Sequence, residues 1–243
     1  MWNPAFRGLA LLFALTWFVF PGFGLIDLSE TWDPAWPVVL EAGWGLLFSV
    51  LVGGAFIYIA LNPRRAAPAI VQLLVVAGAL ALSAAIALEA AAVVLAVVLA
   101  AEALVFLGVP ERESVRLGPL VVQRPLAFVA ALGLVPWSIY AWRMYEANRA
   151  GIPGDNTIGV NHYAVQGASA LGLAALACIA AAWPRGRRFI GVCVSLVAAY
   201  LGLVSLAWPG ALGGYRPPWS ILSMAWGVGI AACALLGHRR MSR

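Results

Sequence analysis

Residues 154–169, GDNTIGVNHYAVQGAS, carry hydrogen-bonding side chains into the head of an apolar run, together with one of the two histidines of the chain. Pro153, Gly154, Asp155 and Asn156 form a turn-type sequence, so a helix is expected to start after it. Asn156 or Thr157 can cap that helix by accepting from its first free amides. Within it His162, Gln166 and Ser169 fall at i, i+4 and i+7, which is one helical face. The stripe descends about 10 Å along a single line at 1.5 Å per residue. Lipid penalises such a face, so it is expected to point into a bundle or toward a water-filled vestibule.

Other polar groups belong to the same end of the chain's apolar segments. The preceding run ends in SIYAWRMYE, where Arg143 and Glu146 stand at i, i+3 and Tyr140 and Tyr145 add hydroxyls. Glu41 lies near the head of another run, Glu89 in a short turn, and Asp155 just before the stripe. The candidate outer pocket is therefore Arg143, Glu146, His162, Gln166, Ser169, Glu41 and Asp155. Two plain readings compete with it. Arg and Glu at a membrane rim reach the headgroups at little cost, and polar side chains between helices stitch them together at about 0.6 kcal/mol each.

Glu102 is a separate candidate. It lies about seven residues inside its run, too deep for a short carboxylate to reach the headgroups, so it must be protonated, paired or wetted. Gln72 and Tyr58 are expected at similar depth and can donate to it. Intramembrane acids serve as proton or cation carriers, or as neutral hydrogen-bonded struts.

Known catalytic chemistry finds no footing. The chain has no His-Glu-x-x-His motif, no nucleophile elbow and no phosphate loop. His162 and His238 are expected at opposite ends, which argues against a bis-histidine haem. No metal site is predicted, since His162 with Glu146 or Asp155 is a thin ligand set, and no cofactor is identified. Cys178, Cys193 and Cys233 all sit in apolar runs without Cys-x-x-Cys spacing and read as small packing residues.

These residues need elements to hold them, and composition names the class. Of 243 residues 63% are hydrophobic and 10% charged, with a mean hydropathy of +0.93. Soluble domains carry about 25% charged residues. The fold class expected is all-α, a polytopic membrane bundle without a soluble domain. The net charge of +5 does not indicate nucleic acid, because its arginines are spread over short segments between apolar runs.

Eight spans are expected, near 5–25, 38–61, 69–88, 90–109, 126–146, 162–183, 189–208 and 219–237. The run 69–109 is divided because a single helix would be about 60 Å long, twice the hydrocarbon thickness. Arg64 and Arg65 precede it and Arg112 and Arg116 follow it, so both ends favour the same side and the turn falls at Glu89. With the N-terminus inside, Arg7, Arg64, Arg65, Arg112, Arg116, Arg124, Arg185, Arg187, Arg188, Arg239, Arg240 and Arg243 are cytoplasmic. Arg143, Arg149 and Arg216 are then outside. Both termini are thus expected in the cytoplasm, with the chain in the inner membrane. The first run lacks a small-x-small cleavage pattern and reads as a retained span. Trp32, Trp36, Trp208 and Trp219 flank the outer loops as interfacial anchors. Pro21 and Pro136 occupy similar places in spans one and five, so a parallel four-plus-four repeat is conceivable.

Three function classes fit. A carrier or ligand-binding protein would use the outer pocket and Glu102. An accessory subunit would use the same groups to hold helices and a protein partner. A membrane enzyme acting on a lipid-like substrate would pair His162 with Glu146 or Asp155, and the missing acid–base motif weighs against it. The surrounding partner in every case is the lipid bilayer.

Overall fold

The structure is a computed structural model that describes residues 4–108 and 118–236. It is all-helical apart from one two-stranded turn, and seven helices are long and apolar enough to cross a bilayer. His238 lies outside the described residues.

The helices are α1 (Pro4–Phe18), α2 (Gly24–Glu30), α3 (Val38–Leu61), α4 (Ala67–Ala87), α5 (Ala90–Leu107), α6 (Arg124–Arg149), α7 (His162–Ala182), α8 (Arg187–Ala207) and α9 (Pro217–Leu236). The first expected span, 5–25, is interrupted. Helix α1 stops at Phe18, and at about 22 Å it is shorter than the roughly 30 Å hydrocarbon core. Pro21 lacks an amide proton and disfavours helix at the residue before it. Gly22 then presses so closely on Trp17 that a Cβ there would overlap the Trp17 carbonyl oxygen. The chain turns and resumes as α2.

Helix α3 is continuous but changes pitch, being α-helical over Val38–Leu46, π-helical over Leu47–Gly53 and α-helical again over Gly54–Leu61. A π turn widens the ladder and leaves backbone carbonyls open to outside donors. Gln72 of α4 uses one of them, donating to the Leu51 carbonyl at 2.8 Å. The run through residue 89 breaks at Leu88, whose φ of 60° is left-handed. Asn148 and Arg149 at the end of α6 then donate to the carbonyls of Ala87 (3.0 Å) and Ile86 (3.3 Å). Those groups would otherwise be open at the helix end.

Helices α3 and α7 form the centre. Buried residues make up 72% and 78% of their apolar windows, against 22% for α9. Helix α7 packs on α3, α4, α6 and α8. Small residues permit the close approaches, as is usual where no hydrophobic force drives helices together in lipid. Gly167 of α7 faces the ring of Tyr145 on α6, and Gly45 of α3 faces the backbone of Leu28 on α2. At the opposite end Arg187 is buried, donating to the carbonyls of Ala180, Ala181 and Val121.

Residues 154–161 also depart from expectation. The helix cap is Asn161, whose Oδ1 accepts from the Tyr163 amide at 2.9 Å, and neither Asn156 nor Thr157 serves. Asn156–Thr157 (β1) instead pairs antiparallel with Val160–Asn161 (β2). Ile158 and Gly159 make the turn, both with positive φ, as a two-residue hairpin demands. That hairpin frees the Thr157 side chain for another task.

Candidate functional site

Three elements bring their polar groups together where α3 and α7 begin. Helix α2 supplies Asp27, the first turn of α3 supplies Glu41, and His162 is the first residue of α7. All three are buried, at 4%, 1% and 1% exposure, and one ligand atom from each lies within 4.8 Å of the other two. His162 Nδ1 stands 3.3 Å from Glu41 Oε1, and its Nε2 stands 3.9 Å from Asp27 Oδ2. Thr157 Oγ1 is 2.9 Å from His162 Nε2 and donates to Asp27 Oδ2 at 3.3 Å. Trp44, one turn below Glu41, stacks on the imidazole with ring centroids 4.7 Å apart. Its indole N–H donates to the Gly22 carbonyl, which ties the break after α1 to the site.

With the Thr157 hydroxyl donating to Asp27, the imidazole tautomer that matches it carries its proton on Nε2 and presents Nδ1, unprotonated, to Glu41. Glu41 Oε1 and His162 Nδ1 are both buried, and neither has a hydrogen-bond partner of acceptable geometry despite their closeness. Buried polar atoms are seldom left so.

The surroundings are acidic. Asp155 is close enough to act electrostatically on Glu41, and Glu30 on Asp155 and His162. Among the described residues the basic side chain that stands within 4 Å of both Asp27 and Glu41 is His162 itself. Burial, and next the Glu41 carboxylate, push Asp27 from 3.8 to about 7, against smaller lowering by His162 and Thr157. Burial and then Asp155 and Asp33 push Glu30 up.

A pH dependence follows from Asp27. The folded chain binds this proton more tightly than the unfolded one, so protonation contributes stability below about pH 4. That contribution is lost as the pH rises through about 7. Glu30 acts in the same direction, and Glu41, Asp155 and His162 face the same space. The unfolding temperature in detergent, without added divalent ions, is expected to fall between pH 4 and pH 7. Asp27→Asn should make the fall shallower, and an unchanged slope would remove Asp27 as its source.

The stripe expected on α7 is buried throughout, with Gln166 and Ser169 at 0% and 1% exposure. Gln166 donates to the Tyr140 hydroxyl at 2.7 Å, and Tyr140 donates to the Gly213 carbonyl. Ser169 donates to the carbonyls of Val165 and Gly43. These two groups join α7 to α6 and α3 beneath the acidic cluster. Arg143 and Glu146 are elsewhere. Both are exposed, and Glu146 accepts from the indole of Trp142. Tyr145 packs against Gly167, and with about 100° between successive residues this turns 143 and 146 away from α7.

Glu102 is half-buried and accepts from the Trp17 indole at 2.6 Å, which ties α5 to α1. Its expected donors do other work. Gln72 donates to Leu51, and the Tyr58 ring lies 4.2 Å from that of Phe189. The three cysteines are free.

Asp27 and Trp44 are not among the residues singled out from the sequence, and Thr157 is named there only as a helix cap; nothing local says that α2 folds back against α3. Beside the cluster a cleft of about 490 Å³ is lined by residues that include Trp36, Pro37, Val38, Gly154 and Trp208, and the buried Trp208 indole N–H has no partner. The chain matches no protein-family model, no curated protein and no solved structure.

Proposed function

We propose that this chain is a multi-pass protein of the inner membrane, with both termini cytoplasmic, that binds a small cationic ligand or ion at its outer end. The observation that carries the reading is the buried set of Asp27, Glu41 and His162, with Asp155 and Glu30 beside it. Removing these groups from water is costly unless a partner compensates them, and excess negative charge at a mouth draws cations. The arginine distribution supports the orientation, since the ends carrying Arg64, Arg65, Arg185, Arg187 and Arg188 lie opposite the cluster.

A carrier is favoured over a static binding protein by the broken elements around the site. The α1–α2 break and the π segment of α3 meet at Gly24, where a Cβ would lie 2.8 Å from Ser49 Oγ and 2.9 Å from the Ser49 amide nitrogen. Interrupted helices flanking a polar site are a common feature of secondary transporters.

Native mass spectrometry of the full chain in lipid nanodiscs tests the proposal. A stoichiometric small ligand or ion, present in the wild type and absent from His162→Ala, is the expected result. A stoichiometric protein partner with no ligand would favour an accessory subunit instead. Turnover of a lipid that depends on His162 would favour an enzyme.

A further inference from the structure

We infer that Asp27, Glu41 and His162 form a binding site for one divalent first-row transition-metal ion, with Zn2+ the best fit, and that Thr157 orients the imidazole for it. The inference rests on the outer-end binding site proposed above and names its occupant.

The argument begins with the two buried atoms that lack a hydrogen bond. In the tautomer that donates from Nε2 to Thr157, His162 Nδ1 presents a lone pair, and Glu41 Oε1 presents another 3.3 Å away. Two acceptors at that distance need a third, electron-poor centre between them. In a tetrahedral zinc site the metal–ligand distances of about 2.0–2.2 Å place neighbouring ligand atoms about 3.4 Å apart. The observed separation is close to that edge. Asp27 belongs to the same group, one ligand atom of each residue lying within 4.8 Å of the others; its carboxylate stands 3.9 Å from Nε2, so it must swing toward Glu41 to reach an ion held on Nδ1.

The outer ring has the arrangement that metal sites use to hold a histidine. A ligating imidazole ordinarily donates its other ring N–H to an oxygen, which fixes tautomer and ring plane. Here that oxygen is Thr157 Oγ1, which passes its own proton to Asp27. Trp44 fixes the ring from one face.

The donor set selects the metal class. One imidazole with two carboxylates is too nitrogen-rich for a Ca2+ or Mg2+ cage built of oxygens. It contains no thiolate or thioether to favour Cu(I). With three protein ligands, a fourth position is left for water or for an incoming group, the pattern of an open zinc site. A single proton shared between Glu41 and His162 is the rival account, and it predicts no metal affinity.

The test uses tag-free full-length chain in nanodiscs, stripped with chelator and titrated separately with Zn2+, Mn2+ and Mg2+. Calorimetry and elemental analysis read affinity and stoichiometry. One Zn2+ per chain is expected, bound at least 100-fold more tightly than Mg2+. His162→Ala and Glu41→Gln should each weaken Zn2+ by 100-fold or more, and Thr157→Val by about 10-fold, the usual effect of losing an orienting partner. Zn2+ should also raise the unfolding temperature of the wild type and of Thr157→Val, but not of His162→Ala.

Absence of stoichiometric Zn2+ binding to the wild type overturns the inference, as does equal binding by His162→Ala and Glu41→Gln. If Zn2+ fails while native spectra show another ligand lost from His162→Ala, the metal is wrong and the outer binding site stands. If neither is found, both fall.

Discussion

If Asp27, Glu41 and His162 bind an ion or small ligand as proposed, Gly45→Ala should reduce that binding at least 30-fold while leaving the helical content of the protein unchanged. A Cβ at Gly45 would stand 2.7 Å from the Leu28 amide nitrogen and 2.8 Å from its Cα. Those are backbone atoms, so no side-chain rotation relieves the overlap, and α2 must shift away from α3. Asp27 lies one residue before Leu28 and moves with it. The spacing among Asp27, Glu41 and His162 then opens, although none of the three has been altered. Overpacking of this kind costs about 1–3 kcal/mol, which is tolerable for a bundle whose centre is α3 and α7. The control is Gly78→Ala in α4, where the added methyl meets nothing within 4 Å and better helix propensity should help slightly. Binding measured on both variants decides the matter. Equal affinity in Gly45→Ala and the wild type would show that α2 does not contribute to the site.

The second large effect is expected at the other end of the bundle. Arg187 begins α8, is 5% exposed, and donates to the carbonyls of Ala180, Ala181 and Val121. Two of those carbonyls belong to the last turn of α7, where the helix leaves acceptors open and where a cation is favoured by the helix dipole. The third belongs to the segment leading into α6, which is also held by the Val121 and Gln123 amides donating to Ala182 and Ala181. Arg187→Leu removes the charge-assisted bonds and leaves the Ala180 and Val121 carbonyls without this donor, while Ala181 keeps the Gln123 amide, at a cost of about 3 kcal/mol. The unfolding temperature in detergent should drop by several degrees. Arg187→Lys should recover only part, because one ammonium cannot reproduce a fork spread over three carbonyls. Arg188→Leu, next in sequence and exposed, should change little. If Arg187→Leu and Arg188→Leu melt alike, the capping role is lost.

Both expectations turn on which faces of the helices meet, and that is where sequence and structure part company. Hydropathy and charge scarcity identify a helical membrane protein because lipid cannot satisfy a backbone carbonyl, so the apolar runs must be helices. The spacing of His162, Gln166 and Ser169 identifies a polar face on α7, since helical periodicity depends on local geometry alone. Neither consideration says which helices lie beside that face.

Arg143 and Glu146 illustrate the limit. They belong to the helix next to α7 and end at the same surface, yet the close approach of Tyr145 to Gly167 turns them outward. Glu102 is another case, because depth along a span suggested Gln72 and Tyr58 while lateral packing brought Trp17.

The sequence by itself determined that the chain is helical, rich in membrane-length apolar helices, and polar along one face of α7. Only the tertiary structure decided that Asp27, Glu41 and His162 share one buried space, because that meeting depends on a break after α1, a fold-back of α2 onto Gly45 and a hairpin that aims Thr157. Each is a contact between segments distant in the chain, set by where small residues let backbones approach, and hydropathy carries no record of it.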